Sequence, residues 1–224
     1  MSARESIISA AIFDLDGVIV DTAKYHYLAW KKLANEIGTD LSVEENERLK
    51  GVSRMDSLDI ILSLGGLQFS EVEKVAMADK KNTWFVDYVN QMKPDEILPG
   101  AKNLLESCRA NGIKVALGSS SKNAKAVLDL LKIAHLFDVI VDGTMIKKSK
   151  PDPEIFLLGA SLLNIPPDQC IVFEDAEAGV EAALAANMRC IGLGSPAQLG
   201  KANLVIPDLK NFTIEDMINL VPIH

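Results

Sequence analysis

With 224 residues, 48% of them hydrophobic and 24% charged, the chain is long enough to bury a substantial core, as one large domain or as a domain carrying an insertion. Its 23 basic and 31 acidic residues leave a formal net charge of −8, which argues against a nucleic-acid partner, because phosphate backbones select clustered Lys and Arg. The 3 cysteines, Cys108, Cys170 and Cys190, are odd in number and lack metal-type spacing, so reduced thiols in a cytoplasmic protein are expected instead of a disulfide framework.

Ile7–Phe13 is the first apolar run, the pattern of a strand buried on both faces of a parallel sheet. At about seven residues it is far short of the roughly 20 that span a bilayer. No signal-peptide cleavage pattern accompanies it, so no membrane partner is expected. From Thr22 to about Met92 the pattern changes: no strand is evident, and Thr22–Ile37, Val43–Leu49, Arg54–Leu64 and Glu71–Val89 read as helices, with Leu33 and Ile37 at helical spacing. This predicts an all-α insertion, residues 21–92, with hinges around Val18–Asp21 and Gln91–Pro99.

Downstream, strand-like runs at Ile113–Leu117, Val139–Val141, Cys170–Phe173, Cys190–Leu193 and Leu204–Ile206 are interleaved with helical patterns at Ala101–Arg109, Asn123–Leu131, Pro153–Leu163 and Ala176–Ala186. That alternation predicts an α/β class fold, a doubly wound parallel sheet built from residues 1–20 and 93–224, with its site at the carboxyl ends of the strands.

Four segments at predicted strand ends carry chemistry. Asp14 and Asp16 share one side of an extended segment, and Gly17 permits a sharp turn after them. Two readings stand: a nucleophilic carboxylate beside a general acid/base, or strand-end aspartates that cap the next helix, as Asp21-Thr22 would. Gly118-Ser119-Ser120-Ser121-Lys122-Asn123 offers hydroxyls, backbone N–H groups and a lysine to a phosphate, or an ordinary helix cap. Lys150, in Ser149-Lys150-Pro151-Asp152-Pro153, is either a solvated surface lysine or a cation that neutralises a transferring phosphoryl group and keeps a nucleophile ionised. Glu174-Asp175 after a buried strand is costly without a cation nearby; with Asp14 the pair makes a hard, all-oxygen site that suits Mg2+ better than zinc.

In order and spacing, Asp14-Leu15-Asp16-Gly17-Val18, the Ser119 loop, Lys150-Pro151 and Glu174-Asp175 resemble the four motifs of the haloacid dehalogenase-like phosphotransferases. The inserted segment is similar to the cap of that family's sugar-phosphate mutases in Asp21-Thr22-Ala23, Tyr25-His26, Ala29-Trp30-Lys31, Leu49-Lys50-Gly51-Val52-Ser53-Arg54, Asp56-Ser57-Leu58 and Lys81-Asn82. Two positions depart from the pattern: Ser120 stands where alanine is frequent, and Ala176 where serine often follows the Glu-Asp pair.

The resemblance implies reversible isomerisation of β-D-glucose 1-phosphate and glucose 6-phosphate through β-glucose 1,6-bisphosphate. It makes Asp14 the residue that becomes an aspartyl-phosphate and Asp16 the general acid/base. Mg2+ would be held by Asp14, the Asp16 carbonyl and Asp175, with Glu174 close by. Ser119, Ser120, Ser121, Lys122, Asn123 and Lys150 would handle phosphate, and His26 with Lys81 would position Asp16. In the cap, Arg54 would grip the non-transferring phosphate, Gly51, Val52 and Ser53 would bring backbone to the sugar, and Trp30 and Ser57 would shape its pocket. A cap that closes and excludes water would favour a sugar hydroxyl as acceptor. A Mg-dependent sugar-phosphate phosphatase is the alternative, since it makes the same aspartyl-phosphate; a silent sugar-phosphate binder is a third reading, opposed by the presence of Asp14, Asp16 and Lys150. A monomer acting on small sugar phosphates is expected.

Overall fold

The computed structural model describes residues 8–49 and 52–220. Its first strand, β1 (Ala10–Phe13), is Ala-Ala-Ile-Phe with every residue wholly buried. Ile7, the start of the predicted run, lies outside the described residues. A strand with no solvent-facing side chain needs a partner on each edge and a cover on each face, and this is the situation of a central strand in a parallel α/β sheet.

Between the first strand and the second the chain forms α1 (Ala23–Glu36), α2 (Val43–Asn46, continued by a 3-10 turn over Glu47–Leu49), α3 (Arg54–Leu64), α4 (Glu71–Val89) and α5 (Ala101–Ala110). Three of these starts are explained by side-chain caps. Ser42 and Ser70 form reciprocal capping boxes with Glu45 and Glu73, and the Ser53 hydroxyl accepts from the Asp56 N–H. Thr22 stands at the N-cap of α1, and its own side chain makes no capping hydrogen bond. Trp30, Leu33 and Ala34 of α1, Leu58, Ile61 and Leu62 of α3, and Ala78 of α4 share one core cluster. Each large side chain buried there contributes about 1.5–3 kcal/mol, which outweighs the modest intrinsic stability of short helices.

The sheet is completed by β2 (Lys114–Gly118), β3 (Val139–Val141), β4 (Cys170–Glu174), β5 (Arg189–Leu193) and β6 (Leu204–Ile206). The order is β3-β2-β1-β4-β5-β6 with every pairing parallel, so the chain winds outward from β1 in both directions. The helices α6 (Ala124–Leu130), α7 (Glu154–Leu163), α8 (Glu177–Ala185), α9 (Pro196–Leu199) and α10 (Ile214–Ile218) occupy the connections and the end. Phe156 of α7 and Val180 and Ala182 of α8 join Ala10, Ile12, Ala116, Val172 and Cys190 in one core cluster. The strand residues of the opposite register, Ala11, Phe13, Val115 and Leu117, are equally buried. The three cysteines are free and buried, and burial pushes the Cys108 and Cys170 thiols up to about 12.

The described residues separate into two compact units, Thr22–Lys93 and the segments on either side of it. The expected hinges, Val18–Asp21 and Gln91–Pro99, adjoin or contain the points where the chain passes between the units. Gly17 N–H donates to the Val20 carbonyl, Leu98 N–H donates to Ile19, and Val20 bridges Ile97 antiparallel, so both strands of the crossover are tied into the sheet unit. The crossing points that remain are Asp21-Thr22 and Lys93-Pro94. Among the described residues no helix is long and apolar enough to cross a membrane.

Candidate active site

Register brings the acidic motifs together. Phe13 of β1 lies directly opposite Phe173 of β4, their rings stacked at 4.6 Å, and the Asp14 N–H donates to the Phe173 carbonyl at 3.0 Å. The next residues along the two strands are Asp14 and Glu174, which therefore emerge side by side at the carboxyl edge, on either side of the point where the strand order reverses. On the other side of β1, Gly118 of β2 pairs with Val141 of β3, and the Ser119 N–H donates to Val141 at 3.1 Å. All four chemistry-bearing segments thus follow the carboxyl ends of β1, β2, β3 and β4.

Lys150 is the centre of the acidic group. Only 6% exposed, its Nζ donates to Asp14 Oδ1 at 2.5 Å and to Glu174 Oε1. The reading of Lys150 as a solvated surface lysine is excluded by this burial. Desolvation alone would lower its pKa, but the charges of Asp14 and Glu174 reverse that and hold the amine protonated. Asp14 does not cap α1, which begins only after Thr22. Glu174, 1% exposed, uses its second oxygen to accept from the Ala176 N–H at 3.0 Å. Its carboxyl sits where a Cβ on Gly179 would be, within 1.9 Å, so the seat exists only because α8 carries a glycine there.

Asp175 occupies the complementary position against Gly17. That glycine has φ of 74°, and a Cβ on it would fall 2.0 Å from Asp175 Oδ2, so one residue satisfies both the turn and the close approach. Burial first, then the charges of Glu174, Asp14 and Asp16, push the Asp175 carboxyl up to about 8, with Lys150 opposing. Burial likewise raises Glu174, against the pull of Lys150. One ammonium is not enough for this many carboxylates, and a further cation would relieve the excess.

The donor set fits a hard divalent ion. Among the described residues no three His, Cys, Asp or Glu side chains form a ready-made metal cage. Mg2+ does not require one, since it is commonly held by one or two carboxylates with waters and substrate phosphate filling the rest of its octahedron. Asp14 and Asp175, close enough for their charges to act on one another, could supply the carboxylates. Glu174, already bonded to Lys150 and Ala176, is better suited to orienting the group than to ligation.

The Ser119 loop uses part of its polarity internally. Ser119 Oγ accepts from the Ser121 N–H and Ser121 Oγ from the Asn123 N–H, each at 3.2 Å, which shapes the turn before α6. Asn123 stands at the N-cap of α6 without a side-chain cap. Lys122 is exposed, while Ser120 Oγ is buried and, among the described residues, is without a hydrogen-bond partner.

The helical unit gathers a second, cationic set. Lys81, 2% exposed on α4, approaches His26 Nδ1 of α1 at 2.7 Å and lies 4.4 Å from the Trp30 ring centroid and 5.0 Å from that of Phe85. Burial, then Lys81 and Arg54, lower the His26 pKa well below its ordinary value, so Lys81 donates to a neutral imidazole. Arg54, first residue of α3, donates from Nη2 to Asn82 Oδ1 at 2.8 Å. Ser57 is buried one turn further along α3, and Val52 is half-buried just before it. The Ser53 hydroxyl is committed to its helix cap, bonding the Asp56 N–H and, at 2.6 Å, its carboxylate; only its backbone remains to meet a ligand. Gly51 lies outside the described residues. Sequence reasoning singled out Asn82 only within the pair Lys81-Asn82 and gave it no role, and it passed over Asp79 and Gly179; the i, i+3 spacing of Asp79 and Asn82 on α4 was a further signal for the first two.

A sheet of this winding, with an aspartate after β1, a buried lysine after β3 and paired carboxylates at the end of β4, has the layout that the four sequence motifs led us to expect. A family model described as haloacid dehalogenase-like hydrolase matches residues 8–187, and the chain belongs to that family. Within it, the chain is 42% identical over 210 residues, 93% of each sequence, to a Bacillus subtilis protein named β-phosphoglucomutase. It is 32% identical to a phosphorylated carbohydrates phosphatase of Thermotoga maritima, over 96% of this chain and 98% of that one. The crystal structure of β-phosphoglucomutase from Clostridium difficile matches with a TM-score of 0.93 at 48% identity, covering 96% of this chain and 97% of the other.

Proposed function

We propose that the chain is an isomerase that interconverts β-D-glucose 1-phosphate and glucose 6-phosphate through an aspartyl-phosphate, with β-glucose 1,6-bisphosphate as intermediate and activator. The observation that carries the chemistry is the buried Lys150, held on Asp14 and Glu174 at the carboxyl edge of the sheet. A cation fixed on a strand-end carboxylate holds it in place as a nucleophile and offers charge to an incoming phosphoryl group. The choice of a sugar acceptor is supported by the near full-length likeness to two proteins named β-phosphoglucomutase.

In this reading an Asp14 carboxylate oxygen attacks phosphorus, the bond from phosphorus to the sugar oxygen breaks, and Asp16 delivers a proton to the departing oxygen. In the other half-reaction Asp16 takes the proton from the free hydroxyl of an entering sugar monophosphate as that oxygen attacks the phosphoryl group on Asp14; this frees the Asp14 carboxylate and forms the bisphosphate, whose other phosphate is the one removed when the first step is repeated. Mg2+ bound by Asp14, Asp175 and the Asp16 carbonyl would neutralise charge on the transferring phosphoryl oxygens. Glu174 keeps Lys150 in register, and Ser119, Ser120, Ser121, Lys122 and Asn123 receive phosphate. The Thr22–Lys93 unit acts as a cap: Arg54 binds the phosphate that is not transferred, Gly51, Val52, Ser53, Trp30 and Ser57 select the sugar, and His26 with Lys81 positions Asp16. The same reading takes the working form to be a monomer acting in the cytoplasm.

The likeness to the Thermotoga maritima phosphatase keeps one other outcome in view, transfer to water. Purified protein with Mg2+, β-glucose 1-phosphate and a trace of the bisphosphate is expected to yield glucose 6-phosphate in large excess over free phosphate, and nothing from the α anomer. Free phosphate without glucose 6-phosphate would replace the mutase reading with the phosphatase one.

A further inference from the structure

Arg54 is placed against its own electrostatic preference. It opens α3, where the helix dipole and unpaired backbone N–H groups already present positive charge, and burial lowers its pKa. Its side chain is only 24% exposed. Among the described residues its one hydrogen bond goes to the amide oxygen of Asn82, a neutral group, while the exposed carboxylate of Asp79 forms a looser ion pair with Nη1 at 3.8 Å, too long for a hydrogen bond. A guanidinium has five N–H donors in a fixed plane, so an acceptor on one Nη sets where the others point. Using an amide for this bond fixes direction and cancels no charge beyond the loose, solvent-screened pair with Asp79.

We propose that Asn82 is a positioning residue that aims the Arg54 guanidinium at the anionic group of a sugar phosphate, and that its neutrality is what leaves that charge for the ligand. The inference rests on the reading that Arg54 grips the phosphate that is not transferred. It also explains how α4 serves two cations at once: Lys81 lies on its buried face and meets His26, while Asn82, the next residue, meets Arg54. An aspartate at the same place would make a stronger bond to the guanidinium and so compete with phosphate for it.

The test is binding of glucose 6-phosphate to the full chain with Mg2+, followed by calorimetry, together with thermal unfolding. Asn82→Ala is expected to weaken binding roughly tenfold through lost orientation, on the scale of one hydrogen bond to a charged group. Asn82→Asp is expected to weaken it at least as much while leaving the unfolding midpoint equal to or above that of the unaltered protein. A structural role alone predicts the opposite, because the aspartate keeps the bond and strengthens it. In an Arg54→Ala background, Asn82→Asp is expected to change the affinity no further. Unaltered affinity in either single variant, or an undiminished effect of Asn82→Asp without Arg54, overturns the proposal. A protein that binds glucose 6-phosphate in this way yet releases only free phosphate in the turnover assay would sink the mutase reading and leave the role of Asn82 intact.

Discussion

The two units solve opposite electrostatic problems. At the sheet edge Asp14, Glu174 and Asp175 crowd around one buried lysine, and burial drives Asp175 up to about 8. In the helical unit Lys81 and Arg54 surround a histidine, and burial with those charges keeps His26 neutral. The first arrangement is assembled from residues as far apart in sequence as Asp14 and Lys150, brought together by strand register. The second is assembled from three helices packed on one apolar cluster. An anionic centre that wants a divalent cation is the common requirement of phosphoryl transfer; a cationic centre that wants an anion is where one sugar phosphate can be told from another.

The sharpest break of that contrast is at its nucleophile. Asp14→Asn is expected to reduce turnover by about 10⁴-fold or more, because an amide cannot accept the phosphoryl group. Mass spectrometry should find no phosphorylated protein, and substantial activity would remove Asp14 from the role. Asp16→Asn is expected to cost about 10²–10⁴-fold in kcat, the usual size of a lost proton-transfer group, while calorimetry shows Mg2+ affinity little altered, since the backbone carbonyl remains. Severe loss of metal would contradict the division of labour between the two aspartates. Lys150→Met leaves the Asp14 and Glu174 carboxylates buried without their cation, which costs about 3–5 kcal/mol in urea unfolding at neutral pH. The deficit should shrink as pH falls, because protonating the carboxylates removes the unpaired charge. A deficit that does not change with pH would mean that the ion pair is not the source of the loss.

Both units were legible in the sequence, the helical one at least as closely as the sheet. Strands buried on both faces announce themselves as short apolar runs, and the predicted strand Val139–Val141 has the observed bounds. In the helical unit α3 and α4 begin where predicted, because Ser53 and Ser70 supply caps that a sequence displays. The helices α9 and α10, 4 and 5 residues long, were not anticipated, being too short to show a period. At the site, motif order gave the residues but not their neighbours. That the Glu174 carboxyl rests on Gly179, or that the Ser53 hydroxyl is consumed by its cap, depends on side-chain placement within a turn. The Arg54 to Asn82 bond depends on the register between two helices, which no local pattern states.

The cationic side of the comparison is sharpened by Arg54→Ala. Loss of one charge-assisted contact is expected to lower kcat/KM for β-glucose 1-phosphate by about 10–100-fold. Formation of the aspartyl-phosphate from a small donor such as acetyl phosphate should change much less, because only the sugar phosphate carries the group that Arg54 is proposed to hold. Equal losses with both donors would assign Arg54 to the fold instead of to the ligand.

The smallest expected effect is the most direct reading of the anionic centre. With Asp175 held up to about 8 in the absence of metal, Mg2+ must displace a proton to use that carboxylate below pH 8. The sign follows from the linkage: a carboxyl whose folded pKa is raised favours the metal-free fold while it is protonated, and that contribution is lost as pH rises from about 4 toward 8. Apparent Mg2+ affinity should therefore climb with pH between 6 and 8, by up to about tenfold per unit, and level off above. Calorimetry in buffers of different ionisation enthalpy should count nearly one proton released at pH 6.5 and almost none at pH 9. His26, lowered well below 6.5, contributes nothing in that window, so the proton counted belongs to the sheet edge. A pH-independent affinity would show that Asp175 is ionised before the metal arrives, and that Lys150 alone is cation enough for the group around it.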